Sequence, residues 1–181
     1  MDRCANLRLL AEYNRWMNDK VYEAAGRLDA GALAADRGAF FGSILGTLNH
    51  LVAADLIWLG RFREHPARPA LLDGLDAWPV PASLDHLLYA DFAELRGHRR
   101  RLDALIVDWA AALREPDLDI PLEYRNTRGV LARRDLGSLA VHLFNHQTHH
   151  RGQATTLLTQ AGEDVGVTDL LMLIPNLAEI G

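Results

Sequence analysis

Eight histidines in 181 residues are the feature of this chain with most chemistry in it. His142, His146, His149 and His150 fall in one short segment. His146 and His150 are four residues apart, and so are His142 and His146. On a helix this spacing projects two imidazoles from one face a turn apart, where they can share a metal ion. A protein metal site usually draws a further ligand from another element, and His50 offers one. On its helix face lie Ser43, Gly46, Thr47, Ala53, Ala54 and Ile57, mostly small side chains that leave room for an ion and an exchangeable ligand. Asp55 is the nearest acid, but it lies about 140° round a straight helix from His50, so it is not expected to ligate.

Four long helical patterns must position these groups, and no series of alternating strands is present. Residues 5 to 28 read as a first helix, with Leu7, Leu10, Asn14, Met17, Val21, Ala24 and Leu28 along one buried seam. Asn14, the polar member, reads most simply as a residue that fixes helix register, with a pocket-lining role as the other reading. A second helix runs from Ser43, its N-cap, to Arg63. Pro66, Pro69, Pro79 and Pro81 make the next stretch a loop. Ser83 is expected to cap a third helix, seamed by Leu88, Phe92, Leu95, Leu102, Ile106, Trp109 and Leu113 and stopped by Pro116. Residues 117–134 read as a short hairpin turning at Asn126–Gly129. The fourth helix spans Asp135 to Gln160, ahead of Gly162. A short apolar tail, Leu170 to Ile174, ends at Pro175. The expected architecture is all-α, an antiparallel four-helix bundle forming one domain over 1–181.

On the fourth helix, with His146 set at zero and about 100° per residue, Leu139 and Leu157 fall near +20°, Leu143 near +60° and Ala154 near +80°. Taken as the core-facing stripe, this arc holds His150 at about +40°, Gln153 at −20°, His142 at −40° and His149 at −60°. Buried imidazoles without partners cost about 1–3 kcal/mol each, so an interior group must satisfy them. His142 and His149 read as supporting or interface residues more than as ligands. Gly152 sits mid-helix, where glycine costs about 1 kcal/mol, and close approach of another helix beside the metal would account for it. Arg151 is expected at the mouth of the site or in a dimer interface. His65, His86 and His98 read as surface or boundary residues. The arginine clusters at 99–101 and 133–134 read as solvated faces, with a dimer or an anionic ligand as other uses.

Composition excludes several classes. Hydrophobic residues at 49% and charged residues at 24% describe a globular chain. A net charge of −5 argues against a nucleic-acid partner. Cys4 is the single cysteine, which excludes an intramolecular disulfide and a cysteine-based zinc cluster. No apolar run approaches the roughly 18 residues of a membrane span, so no membrane partner is expected. The first residues, MDRCANLRLL, lack an apolar signal region, and a cytoplasmic location is the expectation.

The segment Asn145-His146-Gln147-Thr148-His149-His150-Arg151-Gly152-Gln153 resembles the signature of the DinB family (DinB/YfiT-like metalloenzymes). Tyr13-Asn14-Arg15-Trp16-Met17-Asn18 and the run from Phe40 to His50 resemble the same family's first and second helices. The family's name is shared with a DNA polymerase, for which this chain is far too short. The resemblance implies an up-down-down-up four-helix bundle, a homodimer, and a divalent metal held by His50, His146 and His150. Such a ligand set leaves the ion its full charge and an open position, which suits catalysis, because structural zinc sites are closed by four protein ligands. The open position takes water, whose pKa falls toward about 7, or a substrate thiolate. Imidazole donors suit zinc and nickel foremost, and copper or iron as well. Relatives in the wider superfamily include transferases and isomerases that use low-molecular-weight thiols. The expectation is therefore a metal-dependent enzyme, first a thiol-dependent transferase and second a hydrolase. The alternative is a non-catalytic helical homodimer with a structural histidine site. No acid or base stands out from the spacing alone.

Overall fold

The computed structural model describes residues 2–176, and the chain there is mostly helical with one small two-stranded sheet. Helix α1 spans Arg3–Ala25 and opens on the Asp2 carboxylate, which accepts from the Ala5 amide. Its seam buries Leu7, Asn14, Met17, Val21 and Ala24 as expected, with Asn18 as a second buried amide. It ends at Ala25, short of Leu28. A five-residue helix not expected from the sequence, α2 (Ala30–Ala34), follows, capped by Asp29. Helix α3 (Ile44–Phe62) begins where expected, with Ser43 Oγ accepting from the Gly46 amide at 3.0 Å.

The third long helix starts later than expected. Helix α4 spans Phe92–Ala112, and its cap is Asp91, which accepts from the Glu94 amide at 2.8 Å. Ser83 instead donates its hydroxyl to Asp85, and Leu88 lies outside the helix. The cause is Asn49 on α3. Its amide nitrogen donates to the Tyr89 carbonyl at 3.0 Å, and its oxygen accepts from the Tyr89 amide at 2.9 Å. Both backbone groups of Tyr89 are thus committed to α3, and a helix through residue 89 would have to break those bonds. The proline-rich stretch before it is also more ordered than a plain loop, with a 3-10 turn at Ala70–Ala77 that buries Leu72 and Leu75.

After a 3-10 turn at Glu115–Asp119, strands β1 (Pro121–Arg125) and β2 (Leu131–Asp135) pair antiparallel, turning through Asn126–Gly129 as expected. Helix α5 (Leu136–Gln160) is capped by Asp135 and closed before Gly162, whose φ is 87°. The tail forms a 3-10 turn at Leu170–Leu173 with no buried residue, and Leu171 is 71% exposed. Helix α1 packs on α4 and α5, and α3 packs on α5 and α4, around a core that stacks Phe62 on Trp109 at 4.8 Å. No helix among the described residues is long and apolar enough to cross a membrane.

A polar layer runs through this core. Arg99, on the face expected to be solvated, is 1% exposed. Its guanidinium meets Asp55 of α3 at 2.6 Å and Asp103 of its own helix at 2.8 Å. Asp103 also accepts from Asn14 at 3.1 Å and Asn18 at 2.8 Å. Arg151, expected at the mouth of the site or in a dimer interface, is buried and donates to Asn14 and, at 3.2 Å, to Gln147. Two buried guanidiniums therefore sit with two buried carboxylates. His65, expected at the surface or at a boundary, is buried too, facing the Ile120 carbonyl at 3.1 Å.

Candidate metal centre

The polar layer sets the rotation of α5. Its buried residues include Leu139, Leu143, Gln147, Arg151 and Ala154, an arc centred near +90° on the scale with His146 at zero. The sequence reading centred the stripe too close to His146, because Gln147 and Arg151 look like surface residues until their buried partners are known. His146 and His150 consequently lie at the margin of the buried face, half-buried and turned toward α3. There they meet His50, which is buried on α3.

The three rings converge. His50 and His150 have ring centroids 4.4 Å apart, His146 and His150 4.3 Å, and His50 and His146 5.1 Å. One ligand nitrogen from each lies within 4.8 Å of the others, so the group could hold a metal ion. His50 Nε2 and His146 Nε2 are 3.3 Å apart. In a tetrahedral site with bonds of about 2.0–2.1 Å, two imidazole nitrogens stand about 3.3–3.4 Å apart. The other nitrogen of each flanking ring is held. His50 Nδ1 lies 2.7 Å from the Leu84 carbonyl, which can only accept, so Nδ1 carries the hydrogen and Nε2 keeps its lone pair. His150 Nδ1 meets Gln153 Oε1 at 2.7 Å, with the same consequence. His146 Nδ1 is buried without a partner among the described residues. The donor set fits a divalent ion, whose charge would relieve the repulsion between facing lone pairs.

Electrostatics keeps the rings neutral. Burial lowers the His50 pKa to about 4, against the opposing pull of the Leu84 carbonyl. Burial and then the neighbouring His150 and His50 bring His146 to about 3. Burial also lowers His150, with the Gln153 bond opposing it. Neutral imidazole is the form a metal requires.

A loop and a glycine complete the wall. Phe41 stacks on His50 at 3.8 Å and 17° and meets His150 edge-on at 5.5 Å. It is placed by Gly42, whose φ is 72°, and by Gly46, where an added Cβ would stand only 2.1 Å from the Phe41 carbonyl oxygen. Gly46 thus admits the close approach of a loop. The Leu84 carbonyl and Phe41 were missed at the sequence level, since a carbonyl has no signature and a phenylalanine beside a cap reads as packing.

The model of the DinB family matches residues 1–176. The chain belongs to the DinB family. Protein DinB of Bacillus subtilis (strain 168) is 26% identical over 161 residues, 88% of each chain. No solved structure gives a significant match.

The other residues expected in this DinB site divide into groups. Gln153 touches the triad through His150. His149 is exposed and meets the His150 ring edge-on at 4.8 Å. His142 is exposed, stands edge-on to Trp58 at 4.9 Å and shares a cavity with His146. Asn14 and Arg151 do not reach the triad and belong to the buried polar layer. Gly152 has open space around its Cβ position, so no close helix approach explains it.

Proposed function

We propose that this DinB-family chain is a metal-dependent enzyme in which His50, His146 and His150 hold a divalent ion, zinc or nickel foremost. The four long helices are read as an up-down-down-up antiparallel bundle, and the chain as a homodimer. The observation that carries the reading is the 3.3 Å separation of His50 Nε2 and His146 Nε2, with each flanking Nδ1 held away from the centre. An ion held there supplies Lewis acidity at an open coordination position.

The favoured reaction is transfer to a low-molecular-weight thiol. The thiol loses its proton, its sulfur forms a bond to an electrophilic carbon, and the leaving group departs with its electron pair and is protonated. The His142 ring shares a cavity with His146 and makes no hydrogen bond among the described residues. Partial desolvation of the ring, then Arg61 and Arg134, lower its pKa, so it stays neutral and in this reading would take the thiol proton. Hydrolysis with water as nucleophile is the second reaction of the same site.

The test is elemental analysis of protein purified without a histidine tag, with assays of small thiols and electrophiles before and after chelation. One ion per chain and chelator-sensitive activity are expected. His146→Ala should drop bound metal below about a tenth of an equivalent while keeping the helical circular dichroism. Stoichiometric metal in that variant would overturn the ligand set. Metal without any activity would support the structural reading instead.

A further inference from the structure

Beside the triad lies a cavity of about 240 Å³ between α3, α5 and the hairpin, with His146 and His142 on one side and Trp58, Arg61 and Tyr124 on the other. Through Arg61 and Tyr124 it continues into an open groove of about 420 Å³. Three of its lining side chains are rings in edge contact. Trp58 lies 5.4 Å from Tyr124 and 4.9 Å from His142, centroid to centroid.

Arg61 is the unusual member. Its guanidinium lies 4.5 Å from the Trp58 ring centre and 4.9 Å from that of Tyr124, half-buried. Among the described residues it has no hydrogen bond and no ion pair. Arg63, two residues on, shows the ordinary alternative, paired with Asp76 at 2.5 Å and Glu64 at 3.6 Å. Stacking on two rings satisfies the faces of the Arg61 guanidinium and leaves its N–H edge, a fork of donors suited to an oxyanion, without an acceptor among the described residues. Burial lowers the Arg61 pKa, and no carboxylate raises it. Arg61 therefore holds a partly desolvated positive charge in the same cavity as a triad histidine, and among the described residues no carboxylate lies within ion-pair distance of it, although Glu64, Asp76 and Glu123 line the adjoining groove.

We propose that this cavity is the substrate pocket of the histidine centre and that it takes a small planar molecule with a carboxylate or phosphate group, which Arg61 binds. The planar part lies among Trp58, Tyr124 and His142, and the opposite end reaches the triad. The proposal rests on the metal-enzyme reading for the word substrate, but the anion site is testable without the metal.

Calorimetric titration of chelator-treated protein with benzoate, phenyl phosphate and benzamide separates charge from shape, because benzamide has the outline of benzoate without its charge. Wild-type protein is expected to bind benzoate or phenyl phosphate about tenfold or more tightly than benzamide. Whichever anion binds tighter identifies the oxyanion. Arg61→Gln should erase the preference, and Arg61→Lys should restore part of it, while zinc uptake stays at the wild-type level in both. Equal binding of benzamide and the anions, a preference retained in Arg61→Gln, or no saturable anion binding by wild-type protein would each overturn the proposal. Failure of the wild-type chain to take up zinc is read separately: it sinks the metal-enzyme reading and leaves the Arg61-dependent preference standing as an anion site.

Discussion

The histidines work through nitrogens that do not face the proposed ion. Leu84 and Gln153 take the Nδ1 hydrogens of His50 and His150, which fixes ring orientation and aims Nε2 at the common centre. Gln153→Leu should therefore weaken metal affinity about 10–100-fold, measured against a chromophoric chelator. An unchanged affinity would show that Gln153 plays no orienting part. The titration argument has a definite sign. In the folded chain His50 and His146 protonate near 4 and 3, below the ordinary 6.5. Well above pH 6.5 neither state binds these protons. As pH falls below about 6.5 the unfolded chain takes them up first, so metal-free protein loses stability progressively toward pH 4 and 3. Urea midpoints at neutral and mildly acid pH should show this decline, and His146→Gln should make it shallower. A midpoint that rises on acidification would contradict it.

At the scale of elements, two glycines with the same sequence appearance act oppositely. Both lie inside helices that hold triad residues. A methyl group at Gly46 would collide with the Phe41 backbone, so Gly46→Ala must move the loop that stacks on His50. A methyl group at Gly152 meets nothing. Gly152→Ala should stabilise the fold by up to about 1 kcal/mol, whereas Gly46→Ala should destabilise it and lower metal affinity. Thermal melts and metal titration of the two variants check the contrast. Helix boundaries show a similar division. Ser43 and Asp135 cap α3 and α5 as their local sequence indicates, because capping is decided within four residues. The start of α4 is not local. Asn49, forty residues earlier, holds Tyr89 extended and hands the cap to Asp91.

Across the whole molecule, the buried polar layer joins α1, α3, α4 and α5 through Asn14, Asp55, Arg99, Asp103, Gln147 and Arg151. Two carboxylates share the Arg99 guanidinium. Burial raises the pKa of both, that of Asp103 to about 6, while Arg99 opposes the rise. Its directional bonds fix which face of α5 turns inward, and so where the histidines point. Arg99→Met would leave Asp55 and Asp103 buried without their cation, and a loss of about 3–5 kcal/mol is expected in urea unfolding. A loss under about 1 kcal/mol would mean that the layer is not a structural keystone. The ion pairs elsewhere have at least one solvent-exposed partner and carry no comparable weight.

The sequence by itself determined the long helices, the hairpin, the family and the histidines worth watching, because periodicity, caps and i, i+4 spacing are written in neighbouring residues. Tertiary structure decided what depends on distant partners. Arg99, Arg151 and His65 look like surface residues alone and are interior residues in company. The triad's orienting groups are a main-chain carbonyl and a loop ring, which no side-chain pattern announces. Arg61 stands out only when its neighbours are counted, since a missing counter-charge is a property of space, not of order along the chain.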